Sequence, residues 1–236
     1  MSDVRVISDL PVPVNAEAVL RQMRIQSGSA AVPYVEGLIE RVRTSARPRA
    51  LYRACSVERI RGDRVRVDDV EFTSRTLANL LLSVDRVYPY IVTCGRELEE
   101  VISPDSKTIE KLALDVIGNM MLQTNCREME EHLRRLYGME KTARIGPGAG
   151  DGLLWRVEEQ AKLFELFGDA ERAIGVRLTE DFMMLPMKSL SGLLFETETE
   201  FSDCQLCQSE GCPMRSAPFD PAVRDALTEI RPADPG

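Results

Sequence analysis

The longest regular pattern in the chain covers residues 106–137, where apolar residues recur at helical spacing among charged ones. Apolar positions three and four residues apart fall on one face of a helix, so this segment predicts a single amphipathic helix. Gly138 follows it, and glycine commonly ends helices because it adopts the left-handed backbone conformation.

Short β-prone segments lie on both sides of this helix. Residues 50–57 and 65–72 are separated by Gly62 and Asp63, which predicts a hairpin with an irregular loop. Three further segments are predicted to be strands: residues 87–93, 183–185 and 190–195. The combination predicts an α+β fold, with an antiparallel-rich twisted sheet flanked by helices.

Shorter helices are predicted around these strands. Asn15 can cap a first helix, and apolar residues from Val35 to Val42 recur at the spacing of a second. Residues 74–84 and 156–167 are also predicted to be helical. We divide the chain into an N-terminal helical segment (1–48), an α+β core (49–202) and a cysteine-rich C-terminal tail (203–236). We expect the tail to be loosely attached.

Charge and composition exclude several classes of function. Lys and Arg total 30 against 38 Asp and Glu, a formal net charge of -8, so neither nucleic acid nor an anionic membrane is an expected partner. No segment has the roughly 18 consecutive apolar residues that span a bilayer, and no signal peptide is recognisable, so we expect a cytoplasmic protein. His132 is the only histidine, which argues against histidine-based catalytic triads.

The glycine-rich stretch after the long helix contains the main candidate binding residues. Arg144 can hold a carboxylate through bidentate hydrogen bonds. Gly146 and Gly148 let the backbone approach a planar ligand closely, because they have no Cβ. On composition alone the same residues also fit a flexible connector between two helices, which is the commoner meaning of such a stretch.

Four motifs occur in an order typical of one known family. They are Thr93-Cys94-Gly95-Arg96-Glu97-Leu98, the Arg-x-x-Pro-Gly sequence from Arg144 to Gly148, Leu-Thr-Glu-Asp-Phe-Met-Met-Leu-Pro at 178–186, and Ser189-x-Ser191-Gly192. From residue 50 onward the chain resembles the S-adenosylmethionine-binding activation domain of cobalamin-dependent methionine synthase, in its standalone form.

The resemblance implies a set of positions that bind S-adenosylmethionine: Arg144, Gly146, Pro147, Gly148, Ala149, Gln123 and Ser191. Two of them depart from the family pattern. Ala149 stands in place of a loop tyrosine, and Gln123 stands in place of the helix glutamate that receives the amino group of the ligand. Since a neutral amide lacks the charge attraction of a carboxylate, we expect weaker affinity. Asp151 is an alternative acid for the ammonium group.

The resemblance also implies a function. The chain would be the reactivation component of a split cobalamin-dependent methionine synthase, and thus a component of a methyltransferase. It would use S-adenosylmethionine to remethylate oxidised cob(II)alamin on a separate cobalamin-binding subunit or other corrinoid protein, with flavodoxin or ferredoxin as electron donor. Two alternatives stay open: an iron-sulfur electron-transfer activator of another corrinoid-dependent methyltransferase, and a non-catalytic S-adenosylmethionine-binding partner protein.

Three of the six cysteines cluster in Cys204-x-x-Cys207-x-x-x-x-Cys212-Pro213. In a reducing compartment this spacing favours metal ligands or free thiols over disulfides. Cys204, Cys207 and Cys212 are predicted to bind an iron-sulfur cluster or zinc, with the fourth ligand unassigned. An iron-sulfur cluster there would supply or relay the electron for reactivation. Redox-sensing thiols are the alternative.

Overall fold

The computed structural model describes residues 3–60, 62–149, 152, 154–198, 202–209, 211–212 and 215–229. The strands are β1 (Arg5–Ile7), β2 (Arg49–Tyr52), β3 (Cys55–Arg59), β4 (Arg64–Val67), β5 (Val70–Thr73), β6 (Arg86–Thr93), β7 (Thr142–Ile145), β8 (Arg177–Leu178), β9 (Met184–Leu185) and β10 (Ser189–Glu196). The helices are α1 (Ala16–Gln22), α2 (Val32–Ser45), α3 (Arg75–Leu80), α4 (Arg96–Glu99), α5 (Thr108–Tyr137), α6 (Gln160–Glu165), α7 (Ala170–Ile174) and α8 (Pro221–Thr228). Short 3-10 turns occupy Val157–Glu159 and Asp203–Leu206.

Strand β6 is the centre of an eight-stranded antiparallel sheet. One of its edges pairs with β10 from Val87 to Thr93. The other edge is shared, since β2 pairs with its second half and β3 with its first two residues. Strand β7 pairs with the far edge of β10. The antiparallel α+β prediction is therefore confirmed.

The predicted first hairpin is divided into more strands than expected. The segment 50–57 breaks between β2 and β3 because the Arg53 side chain turns inward, donating to the Leu166 carbonyl at 2.7 Å and to Asp68 Oδ2 at 2.6 Å. Asp68 has a positive φ of 50° and makes the turn between β4 and β5. The N-terminal segment also contributes β1, which pairs with β2 and was not predicted.

Helix α5 matches its prediction closely. It runs to Tyr137 and ends at Gly138 with a left-handed φ of 68°. Together with α1 and α2 it covers one face of the sheet, where Tyr90 and Leu194 are buried. Helices α3, α6 and α7 cover the opposite face, around Ile145 and Trp155. Strands β2, β6 and β10 therefore send alternate side chains into two separate cores.

The described part of the C-terminal tail is attached more firmly than expected. Asn79 of α3 donates to the carbonyls of Leu227 and Glu229 at the end of α8. Arg224 of α8 donates to the carbonyl of Leu206, whose side chain is fully buried. The expectation of a loose tail is wrong for these residues, because polar bonds and an apolar anchor fix them to the core. No helix in the described ranges has the length and apolar character to cross a membrane.

Candidate functional site

Arg144 lies on β7, before the loop in which its motif suggested it would be. It stands opposite Leu194 of β10, so its side chain is on the sheet face covered by α5. Its Nε is 3.5 Å from Glu130 Oε2 of α5, and its side chain is 33% exposed. The other oxygen of Glu130 accepts a hydrogen bond from Thr142 Oγ1 at 2.5 Å. The sheet edge and the long helix thus present a guanidinium that solvent can still reach.

Four ionisable side chains interact with this guanidinium, and we call the five residues together the Arg144 cluster: Tyr90, Cys126, Glu130, Arg144 and Asp203. They come from four elements of the fold: β6, α5, β7 and the 3-10 turn Asp203–Leu206. Tyr90 and Cys126 are buried, while Glu130, Arg144 and Asp203 are half-buried. The cluster therefore has an apolar floor and a charged rim.

The surroundings shift the pKa values of four members of the cluster. Burial raises the pKa of the Cys126 thiol to about 11 and also raises the pKa of Tyr90, so both stay neutral near pH 7. Burial acts to lower the pKa of Arg144, but the surrounding acidic groups outweigh it and raise that pKa. Burial raises the pKa of Asp203 above its ordinary value, while the nearby Arg144 charge opposes the rise.

The loop after β7 is shaped by close backbone contacts. A Cβ on Gly146 would collide with the Ser191 carbonyl oxygen, so glycine is needed there for β7 and β10 to approach. Gly148 has a positive φ of 82° and donates its N–H to the Trp155 carbonyl at 2.7 Å. Pro147 is half-buried, and Ala149 packs toward the core on the opposite face of the sheet. The loop is thus a fixed turn beside Arg144.

Gln123 lies on the exposed surface of α5. It precedes Glu130 by seven residues, which places the two on nearly the same side of the helix, roughly 10 Å apart along its axis. Gln123 is therefore on the correct side of α5 to face a ligand, but Glu130 is the helix residue that contacts Arg144.

Ser191 points away from the Arg144 cluster. Its Oγ is 3.1 Å from Gln160 Oε1, and Gln160 Nε2 donates to the Phe182 carbonyl at 3.1 Å. Gln160 begins α6, on the second face of the sheet. The side chain of Ser191 therefore ties β10 to the Leu178–Pro186 motif, and only its backbone carbonyl reaches the loop at Gly146.

The first motif of the family resemblance has a structural role. Gly95 has a φ of 84°, and a Cβ there would lie 2.7 Å from the Arg47 carbonyl. Glu97 pairs with Arg49 Nη2 at 2.8 Å, and Leu98 is buried. These contacts join the end of β6 to the end of α2 and the start of β2.

The cysteine segment is ordered by Arg215. Its guanidinium donates to the carbonyls of Cys204 at 3.2 Å and Cys207 at 2.8 Å, and the Ser216 N–H donates to Cys204 Sγ at 3.4 Å. Cys204 and Cys207 are half-buried and Cys212 is exposed. Across the described residues, no three His, Cys, Asp or Glu side chains are arranged to hold a metal ion.

The metal site at these three cysteines therefore stays a prediction. Pro213 and Asp151 lie outside the described residues.

Sequence reasoning missed four members of the Arg144 cluster. Glu130 could have been found from helical periodicity, because it falls two turns after Gln123 on the same side of α5. Tyr90, Cys126 and Asp203 carry no local signal, since only the sheet pairing and the path of the tail bring them to Arg144. The cluster is thus largely a product of tertiary structure.

Comparison with known proteins adds two findings. A family model described as vitamin B12 dependent methionine synthase, activation domain, matches residues 89–210, a range that contains the whole Arg144 cluster. The chain is similar in structure to the MetH reactivation domain, solved as a crystal structure bound to AdoHcy. The TM-score is 0.62 at 14% identity, covering 84% of this chain and 80% of that chain. No curated protein matches.

Proposed function

Because the chain belongs to the activation-domain family of vitamin B12-dependent methionine synthase, we propose that it binds S-adenosylmethionine and remethylates oxidised cobalamin carried by a separate protein. This partner is a cobalamin-binding methionine synthase subunit or another corrinoid protein. The chain itself acts as the methyl-donor module of the methyltransferase.

The Arg144 cluster is the observation that supports this proposal most directly. S-adenosylmethionine carries a carboxylate, and a guanidinium is the side chain best suited to hold one through two parallel hydrogen bonds. Arg144 is fixed on a strand, half-exposed, and followed by a turn whose glycines bring backbone close to the same place. A ligand can therefore bind along the edge formed by β7, β10 and α5.

The proposed reaction uses the chain for binding and orientation. Cob(II)alamin on the partner gains one electron to become cob(I)alamin, which attacks the methyl group of the sulfonium. The sulfur–carbon bond breaks as the cobalt–carbon bond forms, and S-adenosylhomocysteine leaves. No proton moves in this step, so no acid or base is needed. His132 is accordingly given no role in the step; its ring packs edge-on against Tyr52 at a ring-centroid distance of 6.0 Å.

The electron donor is a separate proposal. A flavodoxin or ferredoxin would deliver the electron to the partner-bound cobalamin. The alternative of an iron-sulfur activator rests on Cys204, Cys207 and Cys212, and it stays open. The alternative of a non-catalytic S-adenosylmethionine-binding partner is favoured by Ala149 and Gln123, where two family groups are missing.

Methyl transfer to cobalt tests the proposal. The protein is mixed with a cobalamin-carrying methionine synthase fragment, S-adenosylmethionine labelled in its methyl group, and a strong chemical reductant. We expect labelled methylcobalamin with the wild type and with the control Arg135→Ala, whose side chain is 70% exposed on α5. Arg144→Ala should form little. Ligand binding without any labelled cobalamin would favour the non-catalytic alternative.

A further inference from the structure

Two carboxylates stand beside the single guanidinium of the Arg144 cluster. Glu130 approaches Arg144 Nε at 3.5 Å, and Asp203 and Arg144 each act on the charge of the other. When ionised, the two acids leave the cluster with a net negative charge. S-adenosylmethionine has the opposite balance, because its ammonium and sulfonium groups outnumber its one carboxylate. The site and the ligand are therefore complementary in charge.

Asp203 lies in a turn that is closed by hydrogen bonds. The Ser202 N–H donates to Gln205 Oε1 at 2.9 Å, and Ser202 Oγ accepts from the Cys204 N–H at 3.3 Å. Leu206, at the end of the same turn, is fully buried. The carboxyl group is thus positioned by the fold, as a binding residue must be.

The same turn borders an open groove beside the cluster. The groove has a volume of about 520 Å³, and Glu130, Thr142, Ser202 and Gln205 are among the residues that line it. Two cations and a further acid line it as well: Arg134, which pairs with Glu131 at 3.2 Å, Lys141, which donates to the Glu198 carbonyl, and Glu140. This volume falls in the range of small-molecule sites. The turn that carries Asp203 therefore borders the same groove as Glu130, the partner of Arg144.

We propose that Asp203, with Glu130, binds the cationic part of S-adenosylmethionine and selects the sulfonium over the neutral thioether of the product. This inference rests on the proposed function. It assigns to the two acids the charge that Gln123 lacks. It also explains product release, because methyl transfer removes the sulfonium charge and with it part of the attraction to the two carboxylates. The cysteine-bearing segment thereby becomes part of the ligand site.

Calorimetric titration with S-adenosylmethionine and with S-adenosylhomocysteine tests this inference. We expect Asp203→Asn to weaken binding of S-adenosylmethionine by about tenfold or more, the scale of a charge-assisted bond, and binding of S-adenosylhomocysteine by much less. Glu130→Gln should act in the same direction. Asp225→Asn removes a negative charge from the exposed side of α8 and should leave both affinities unchanged.

The outcomes separate this inference from the proposed function. If the wild type binds neither compound, both fail. If the wild type binds S-adenosylmethionine and both Asp203→Asn and Glu130→Gln leave that affinity unchanged, only the role of the acids is overturned. Tighter binding by Asp203→Asn would mean that Asp203 competes with the ligand for Arg144, which also overturns it. An equal loss for both compounds would show no selection of the sulfonium. Circular dichroism of each variant checks that the fold is retained.

Discussion

Two arginines at distant places in the sheet are used in opposite ways. Arg53 lies between β2 and β3 with 6% of its side chain exposed, and it pairs with Asp68 at 2.6 Å. Arg144 on β7 is 33% exposed and lies 3.5 Å from Glu130. Arg53 therefore has a short, buried ion pair on the second face of the sheet, whereas Arg144 has a longer, accessible one on the first.

The difference separates structural charges from charges available to a ligand. The nearby acids show the same contrast. Burial acts to raise the pKa of Asp68, but hydrogen bonds from Ser56 and Cys55 and the Arg53 charge outweigh it, so that pKa is lowered. The pKa of Asp203 is raised by burial, against the pull of Arg144. The fold therefore favours the ionised form of Asp68, which lies beside Arg53. It disfavours the ionised form of Asp203, which lies beside Arg144.

Replacing each arginine by alanine should give the largest difference in unfolding free energy. Arg53→Ala leaves Asp68 and the Leu166 carbonyl without their partner, and breaking a buried ion pair costs about 3–5 kcal/mol of unfolding free energy. Arg144→Ala is the matched variant and should cost far less, because its site is accessible to water. Denaturant unfolding followed by circular dichroism measures both. Equal losses of unfolding free energy in the two variants would contradict the distinction between a structural arginine and one available to a ligand.

Glycine substitutions test how tightly β7 and β10 pack beside Arg144. A Cβ on Gly192 would lie 2.6 Å from the Ile145 carbonyl oxygen and 3.0 Å from the Tyr90 hydroxyl. Gly192→Ala should therefore force β7 and β10 apart and cost about 1–3 kcal/mol. Gly37→Ala is the control, since nothing lies within 4 Å of its added Cβ, and it should stabilise α2 slightly.

Thermal unfolding temperatures of these two variants and the wild type provide the measurement. A Gly192→Ala protein as stable as the wild type would mean that the strands at the ligand loop adjust freely, contrary to the close packing described above.

The pH dependence of stability should distinguish Asp68 from Asp203. The expected change in unfolding free energy is smaller than for the arginine and glycine variants. Because the folded-state pKa of Asp68 is lowered, its contribution is present above the unfolded pKa and is lost as the pH falls through the folded value. Asp68→Asn should lose stability at neutral pH and approach the wild type in acid. The folded-state pKa of Asp203 is raised, so its effect has the opposite sign and stability falls as pH rises through the shifted range.

Unfolding free energies of Asp68→Asn and Asp203→Asn, measured across the acid range, check these signs. Destabilisation by Asp203→Asn at neutral pH as large as that of Asp68→Asn would contradict the distinction between the two acids.

The sequence predicted the elements that depend on local signals. Helix α5 was predicted at 106–137 and spans Thr108–Tyr137, because its periodicity and Gly138 are both local. The break between β2 and β3 was not predicted, since Arg53 turns inward only when Leu166 and Asp68 are in place. Helix α7 and strand β7 were also missed, because both are short and depend on tertiary packing.

The residues of the candidate site likewise divide into those with a local sequence signal and those placed by tertiary structure. Arg144 and the glycines of its loop were found from a motif, and Gly146 and Gly148 have steric reasons for being glycine. Ser191 was expected near the ligand, but the strand alternation turns its side chain to the other face of the sheet. Asp203 joins the cluster through the path of the tail, which no local pattern specifies.

Calorimetric titration of S-adenosylmethionine into the wild type, Arg144→Ala and Arg144→Lys tests the central claim most directly. We expect saturable binding by the wild type, weakened by more than about 1.5 kcal/mol in Arg144→Ala, the scale of a hydrogen bond to a charged group. Arg144→Lys should restore part of the affinity, because a lysine keeps the charge but loses the bidentate geometry. Equal affinity in the wild type and Arg144→Ala, with both folded, would contradict the assignment of Arg144 as the residue that holds the ligand.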